Sequence, residues 1–417
     1  MASSPSLTLL PAAEARRIMG DVAPVGVERV PLRAAGGRVL AEALVAPEDL
    51  PAAARSVMDG YAVRAGDVQA ATATGPVTLR LAGVVPMGGV FSGGVPAGQV
   101  VGISTGGFLP AGADAVVMIE QTAPRSGDVP VGGDVQIFGA VAAGANIIAA
   151  GEDIRAGAAV LAPGRRLRPQ DLAALATFGV AEVSVYRRPR IALLSTGNEL
   201  CEPTTASPAP GQVRDVNQSV LGAQLEAAGA TVTYGGIVRD DAGDLRAAVA
   251  RLLPGHDGLI LSGGSSVGVK DVSAEALRDL EAPGVLFHGI DIRPGKPTLF
   301  ARSGVKPVIG MPGFPTSSMI VFDAFVRPML WRLGGETGRD PWPAHRRARL
   351  GRAYTSARGR EDYLRVRLAD EDGEVWAHPL AGGSAAISNV VLADGLVRIE
   401  SDCEALARGD AVDVLLY

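Results

Sequence analysis

The feature that most constrains this fold is an apolar run that breaks straight into glycine. Gly258-Leu259-Ile260-Leu261 has the length and composition of a buried strand, and Ser262-Gly263-Gly264-Ser265-Ser266-Val267-Gly268 follows without a spacer. Asp271 then opens a helical run. A strand that ends in glycines before a helix presents backbone N–H groups and a positive helix end to an anion. Downstream lie Arg293-Pro294-Gly295-Lys296-Pro297 and Gly310-Met311-Pro312-Gly313-Phe314-Pro315, two rigid turns that each follow a strand-like run. Loops of this kind gather at one edge of a parallel sheet, where open α/β sheets bind ligands.

The flanking pattern agrees. Residues 191–194 and 232–238 read as strands, and 171–178, 216–228, 245–253 and about 315–333 as helices. Strands alternating with helices of about ten residues predict a parallel sheet with helices on both faces. The rest of the chain has a different rhythm. Residues 7–20 predict one amphipathic helix with Pro11 at its start and Leu10, Ala13, Ile18 and Met19 on its apolar side. Short strand-like pieces fill 27–50, Met58-Asp59-Gly60 is turn chemistry before Tyr61-Ala62-Val63, and 66–148 read as all-β with Thr105-Gly106-Gly107 in their midst. After Gly334-Gly335 and Pro341-Trp342-Pro343, which read as a linker, 348–417 alternate apolar and polar residues as a small β domain does. The fold class is therefore multidomain, part α/β and part β.

Composition excludes several functions. At 417 residues the chain holds several cores, and its net charge of −5 gives no basic face for duplex nucleic acid. Cys201 and Cys403 stand far apart, and His256, His288, His345 and His378 are scattered, so neither a disulfide framework nor a zinc pattern is present in the sequence. The uncharged stretch 81–113 carries prolines at 86, 96 and 110, which exclude a spanning helix. The N-terminus lacks a basic start and a long apolar core, so a cytoplasmic protein is expected.

Lysine occurs only at 270, 296 and 306; every other basic residue is arginine. Lysine is a compact point charge where arginine is a flat fork. Lys296, held in a Pro-Gly-Lys-Pro turn, therefore suits a small, round anion, while Lys306 reads as an ordinary surface residue. The loops Ser195–Glu199, Ser262–Asp271 and Arg293–Pro297 together offer glycine backbones, hydroxyls, two carboxylates and two cations. Phosphate explains the glycines and hydroxyls; the carboxylates fit if Glu199 and Asp271 hold a Mg²⁺ that bridges to it. Asp271 also suits an ordinary helix N-cap. The segments 358–361 and 382–388 read as β-turns on spacing alone.

The set Met58-Asp59-Gly60-Tyr61-Ala62-Val63, Ser195-Thr196-Gly197-Asn198-Glu199-Leu200, Ser262 to Gly268 with Asp271, Pro294-Gly295-Lys296-Pro297 and Pro312-Gly313-Phe314-Pro315 resembles the molybdopterin molybdenumtransferase family. That family includes bacterial MoeA and the C-terminal domain of gephyrin. The resemblance spans essentially the whole chain and implies an N-terminal helical segment (1–26), an elongated linking domain (27–48 and 146–176) and a β domain (49–145). It further implies a three-layer α/β molybdopterin-binding domain (177–333) and a C-terminal β-barrel (345–417). The implied activity is insertion of molybdate into adenylylated molybdopterin, with release of AMP and the molybdenum cofactor, in a homodimer that also meets other proteins of cofactor synthesis. Carried over by motif, Glu199 and Asp271 would serve Mg²⁺ and the adenylyl-phosphate end. Ser195, Thr196, Gly197, Ser262, Gly263, Gly264, Ser265, Val267, Gly268, Pro312, Gly313 and Pro315 would line the molybdopterin site. Arg293, Lys296, Pro297, Arg360 and Ser384 would surround molybdate, and Asp59 and Thr105 would reach the site from the second subunit.

Two positions depart from the family pattern. Arg293 replaces the first lysine of Lys-Pro-Gly-Lys-Pro, and Phe314 replaces the asparagine of Pro-Gly-Asn-Pro. Both leave the reaction class intact and bear on the choice between molybdate and tungstate. The rival readings are a tungstate-selective version of the enzyme, a related molybdopterin adenylyltransferase or nucleotide pyrophosphatase, and a non-catalytic scaffold. A shared site makes a direct prediction. Co-refolded Asp59→Ala and Asp271→Ala proteins should regain about a quarter of wild-type activity, because random pairing makes roughly half the dimers mixed, each with one intact site. Background activity despite proven heterodimers would rule the shared site out.

Overall fold

The computed structural model describes residues 9–124, 129–263, 272–342, 344–383 and 385–417. The chain divides into two units, one of Met1–Glu42, Pro163–Leu172 and Ala181–Tyr417, the other of Ala43–Ala162 and Ala173–Val180.

The first unit is built on a six-stranded sheet in the order Thr231–Val238, Arg190–Thr196, Gly258–Ser262, Lys306–Met311, Leu299–Ser303, Pro283–His288. The first four strands are parallel. Leu299–Ser303 runs antiparallel to both of its neighbours, so the sheet is mixed rather than wholly parallel. The reason lies in its connections: residues 289–298 before it and 304–305 after it are too few for the dozen or more that a parallel crossover needs. Two reversals restore the original direction, so Pro283–His288 and the parallel set open their exit loops on the same edge.

Hydrophobic burial sets the layers. The central strand Gly258–Ser262 is buried throughout, which explains its unbroken apolar run. Leu221 and Leu225 of helix Val216–Ala227 pack with Ile320, Phe322, Phe325 and Met329 on one face. Leu245, Val249 and Leu252 of helix Ala242–Leu252 cover the other with Val272 and Ala276. Each such side chain contributes about 1.5–3 kcal/mol when fully buried. The N-terminal helix joins the first face over Ala12–Gly20, starting after Pro11 rather than at residue 7. It buries Ala12, Ala15 and Met19, and Leu10 and Ile18 pack half-buried against the same core; of the expected stripe, Ala13 is exposed. A small sheet of Val27–Pro31, Glu182–Tyr186 and Val39–Leu40 belongs to the same unit.

At the end of the chain, Glu361–Glu371, Glu374–Pro379, His345–Leu350, Ala411–Leu416 and Gly395–Ile399 pair in turn, and the last pairs back to the first. The sheet is closed and has no free edge among these strands. Leu350, Val366, Ala377 and Val414 fill it.

The second unit carries the expected β structure. Its main sheet runs Ala115–Met118, Gly60–Val63, Gln99–Ile103, Val77–Val84, Asp134–Ile137, Thr122–Ala123 over a core that includes Tyr61, Val63, Leu81, Val100 and Val135. Gly60 is required by close approach, since a Cβ there would lie 1.9 Å from the Val117 carbonyl oxygen.

One buried acid interrupts the first unit. Between helices Pro315–Val321 and Arg327–Leu333 the backbone widens into a π-turn, Phe322–Val326, that contains Asp323. Gln224 Nε2 donates to Asp323 Oδ1 at 3.1 Å, and Arg327 Nη1 stands 3.3 Å away. Burial outweighs these partners and pushes the carboxyl up to about 6. A raised pKa means that the folded state holds this proton more tightly than the unfolded chain. The associated stability is full below about pH 4 and is lost as pH rises through about 6. Asp323→Asn should therefore gain on wild type between pH 5 and pH 8, by about 1–3 kcal/mol, in thermal unfolding followed across that range. A pH-independent difference between the two proteins would contradict this.

Candidate functional site

Three parallel strands leave the sheet together. Ser195 pairs in register with Ser262, and Ser262 with Met311. Their exit turns are tied to one another by polar contacts. Thr196 Oγ1 donates to Asp240 Oδ1 at 2.9 Å, and the Asn198 and Asp240 backbone N–H groups donate to each other's side chains at 3.4 and 3.3 Å. Asp240 follows the neighbouring strand Thr231–Val238, so it meets the 197–199 turn side by side. Glu199 is exposed and its carboxylate folds over Gly197, where a Cβ would lie 3.0 Å from Glu199 Oε2. Two exposed carboxylates, Glu199 and Asp240, thus stand on adjacent turns.

Asn217 links the second and third turns. It lies buried in the first turn of helix Val216–Ala227, and its Nδ2 donates to Ser262 Oγ at 2.7 Å and to the Gly313 carbonyl at 2.9 Å. Asp215 caps the same helix by accepting from the Gln218 N–H at 3.1 Å. Asn217 Oδ1 and Asp215 Oδ2 are buried without a hydrogen-bond partner among the described residues. Gly263 has φ +93°, and a Cβ there would lie 2.3 Å from the Thr196 carbonyl oxygen, so only glycine fits. Pro312 is buried, Gly313 and Phe314 are exposed, and Pro315 begins the following helix. Gly264, Ser265, Val267, Gly268 and Asp271 lie outside the described residues, as does Ser384.

On the same edge, the 289–298 connection offers cations. Gly295 has φ +117° and packs so closely that a Cβ would meet Val321 Cγ2 at 2.5 Å. Thr298 Oγ1 donates to the Gly295 carbonyl at 2.7 Å, and the Ile290 N–H to the Lys296 carbonyl at 3.0 Å. The braced loop leaves Arg293 and Lys296 exposed, with Pro297 half-buried beside them. No hydrogen bond or ion pair among the described residues engages the Arg293 or Lys296 side chain.

The barrel completes this cluster. Ile292–Arg293 forms a short parallel ladder with Glu361 and Asp362, and the Glu361 N–H donates to the Asp291 carbonyl at 3.1 Å. Arg360, one residue before the ladder, is thereby brought to the Arg293–Lys296 loop. Tyr354 lies in the electrostatic field of both Arg293 and Arg360; burial, foremost, and Asp362 push its phenol upward. The N-terminal helix braces the junction from behind. Leu10 exchanges backbone hydrogen bonds with Gly289 and Asp291 at 3.1 and 2.9 Å, and Arg16 pairs with Glu361 while donating to Tyr363 Oη at 2.8 Å.

Asp59 and Thr105 belong to the second unit. Both are exposed, and Asp59 Oδ1 accepts from the Thr105 N–H at 2.7 Å and from its hydroxyl at 3.1 Å. The structure thus brings together two residues that are far apart in sequence and fixes the Asp59 side chain on a turn.

With this geometry in place, comparison with known proteins decides the family. Three family models match in chain order: the MoeA N-terminal region (domain I and II) over residues 10–179, a probable molybdopterin binding domain over 192–332, and the MoeA C-terminal region (domain IV) over 347–417. The chain belongs to the molybdopterin molybdenumtransferase family. A relative from Mycobacterium tuberculosis, molybdopterin molybdenumtransferase 2, is 35% identical over 390 residues, covering 92% of this chain and 94% of its own. The molybdopterin molybdenumtransferase of Synechococcus elongatus is 33% identical over 406 residues, covering 95% and 96%. A solved molybdopterin biosynthesis MoeA protein from Pyrococcus horikosii superposes with a TM-score of 0.82 at 33% identity, covering 98% of this chain and 99% of that one. Members of the molybdenumtransferase family are enzymes of molybdenum cofactor biosynthesis. Within that framework, the molybdopterin-binding match holds every strand-end turn as well as Arg293 and Lys296, and the C-terminal match holds Arg360.

Asp240, Asp215 and Asn217 are parts of this edge that the sequence reading passed over. Asp240 follows a strand as Glu199 does, which is the signal that could have found it. Asn217 sits inside a helix, where asparagine is a poor choice unless its side chain is occupied. The turn glycines give a test of the close packing. Gly263→Ala should cost ~2 kcal/mol or more in chemical denaturation, from left-handed strain and the Thr196 contact. Gly313→Ala, whose Cβ would meet only Gly263 Cα at 3.9 Å among the described residues, should be near neutral. Equal losses for the two would contradict the packing described.

Proposed function

We propose that this chain inserts molybdate into adenylylated molybdopterin in a Mg²⁺-dependent reaction that releases AMP and the finished cofactor. The observation that carries the reading is the convergence of two chemistries on one sheet edge: hydroxyl and glycine turns with carboxylates, and a braced loop joined to the barrel that offers Arg293, Lys296 and Arg360. The first suits the phosphate end of a nucleotide-activated pterin, the second a small tetrahedral dianion.

Among the described residues no three His, Cys, Asp or Glu side chains form a metal-binding group. Magnesium needs no such cage, because it keeps several waters and takes one or two carboxylates together with substrate phosphate oxygens. Glu199 and Asp240, exposed on adjacent turns, fit that donor set, and Asp271 would join it. When bound there, the ion would screen the charge of the phosphoanhydride. The chain's own residues do the rest. Ser262 and the Gly263 turn seat the phosphate, Asn217 keeps that turn and Gly313 together, and Arg293, Lys296 and Arg360 hold the oxyanion near the dithiolene sulfurs. Cleavage of the anhydride is then coupled to metal transfer by proximity and preorganised charge. In the homodimer we propose, Asp59 and Thr105 serve the site of the other subunit. No helix among the described residues is long and apolar enough to cross a membrane; we place the enzyme in the cytoplasm, beside the other proteins of cofactor synthesis.

The deciding assay incubates adenylylated molybdopterin with Mg²⁺ and either oxometalate and measures AMP. Molybdate-stimulated AMP release supports the reading. ATP-dependent adenylylation by the pure protein would replace it with the adenylyltransferase alternative, and no turnover with either oxometalate would favour the scaffold. Phe314, 55% exposed at the mouth, and Arg293 are the reasons to run tungstate in parallel. Lys296→Ala should weaken molybdate use roughly ten- to hundredfold while substrate binding holds, as expected for one lost charge-assisted contact. An unchanged molybdate dependence would refute its role. Asp271→Asn should nearly abolish AMP release with adenylylated molybdopterin still bound, and near-normal turnover at limiting Mg²⁺ would leave Asp271 a helix cap.

A further inference from the structure

We propose that Asp362 and Tyr354 are positioning residues that aim Arg360 at the oxyanion, although neither touches it; this rests on Arg360 binding the oxometalate as proposed above.

Asp362 has no solvent exposure, and its two oxygens are fully engaged. Arg360 Nε donates to Oδ1 at 2.7 Å and Nη2 to Oδ2 at 3.1 Å, while Tyr354 Oη donates to Oδ2 at 3.0 Å. Its backbone is held on both sides, since Asp362 pairs with Arg293 on one strand and with Ile399 on the other. A carboxylate placed this way has little freedom, and the guanidinium clamped to it shares that restriction. The clamp also uses only one edge of the fork. Nε and Nη2 are taken, no hydrogen bond among the described residues engages Nη1, and the Arg360 side chain stays 25% exposed. The remaining Nη1–Nη2 edge is the one that can receive a tetrahedral oxyanion with two parallel hydrogen bonds. Replacing a buried ion pair by apolar residues is often neutral or stabilising, so stability alone gives little reason for this one.

The neighbouring acid supplies a control. Successive residues of a strand face opposite ways, and Glu361 turns to Arg16 and Tyr363 rather than to Arg360. It is buried and paired in the same barrel strand, so its loss perturbs packing without touching the Arg360 clamp.

The test uses the full-length protein with adenylylated molybdopterin and Mg²⁺, reading initial AMP release against molybdate concentration. Asp362→Asn should raise the half-saturating molybdate concentration about tenfold and Tyr354→Phe about threefold, in the range of one weakened charge-assisted contact, with kcat held within about twofold. Glu361→Gln should leave the half-saturating concentration in place. On an Arg360→Ala background, Tyr354→Phe should add nothing, because its effect passes through the arginine. If Arg360→Ala shifts the molybdate dependence but Asp362→Asn and Tyr354→Phe do not, the positioning role is overturned and the oxyanion site stands. If Glu361→Gln shifts it as Asp362→Asn does, the effect is structural and the proposal also fails. If Arg360→Ala changes nothing, the oxyanion assignment falls and the positioning role with it. Should Asp362→Asn not fold, Tyr354→Phe and its Arg360→Ala combination carry the test alone.

Discussion

The proposed site depends on a very short strand pairing, Ile292–Arg293 against Glu361–Asp362. It joins the closed barrel to the loop that leaves the edge strand Pro283–His288, and it brings Arg360 to Arg293 and Lys296. Hydrogen bonds of this kind contribute about 1 kcal/mol each, too little to hold a barrel in place. The surrounding contacts supply the remainder: Leu10 bonded to both ends of the turn, Arg16 on Glu361, and Gly295 packed without a side chain against Val321. These contacts share the load of a junction whose cations repel one another, an arrangement that suits the anion proposed to bind there.

The other half of the edge obeys a different constraint. Parallel strands that end in register must leave by turns that do not collide, and here glycine and a buried amide solve the problem. Gly263 passes under the Thr196 carbonyl where a Cβ would clash, and Asn217 takes the Ser262 hydroxyl and the Gly313 carbonyl in one side chain. Carboxylates and cations then occupy separate turns of one edge, Glu199 and Asp240 on one side and Arg293 and Lys296 on the other. In the reaction proposed, such a division would leave the cations for the oxyanion, while the carboxylates would serve a nucleotide phosphate only through a bound cation.

What was legible in the sequence was local. The apolar run 258–261 and its glycine break announced a buried strand and an exit turn, and the run 191–194 announced its neighbour, which extends to Arg190–Thr196. The antiparallel edge was not legible, because an apolar strand pattern carries no direction; the short connections 289–298 and 304–305 force the two reversals. The N-terminal helix is legible in its Pro11 start and in Ile18 and Met19 on its core side, while the helical run begins at Ala12 rather than at residue 7 and Ala13 faces out. Arg360 looked like part of a plain β-turn until the family resemblance singled it out, and Asp362 looked like ordinary strand alternation. Their meaning comes from a pairing between segments about seventy residues apart, which no short-range pattern encodes. Asp240 and Asn217 were missed for a milder reason: an aspartate after a strand and an asparagine near a helix start both have ordinary structural uses.

The most direct test of the central claim, that the barrel–loop junction is the oxometalate pocket, is an anomalous-scattering map from crystals soaked in tungstate, an electron-dense stand-in for molybdate. The account predicts a tungsten peak with its oxygens within about 3 Å of the Arg293, Lys296 and Arg360 nitrogens. Tungsten found only at the Gly263 turn or on surface arginines, with the junction empty, would contradict it.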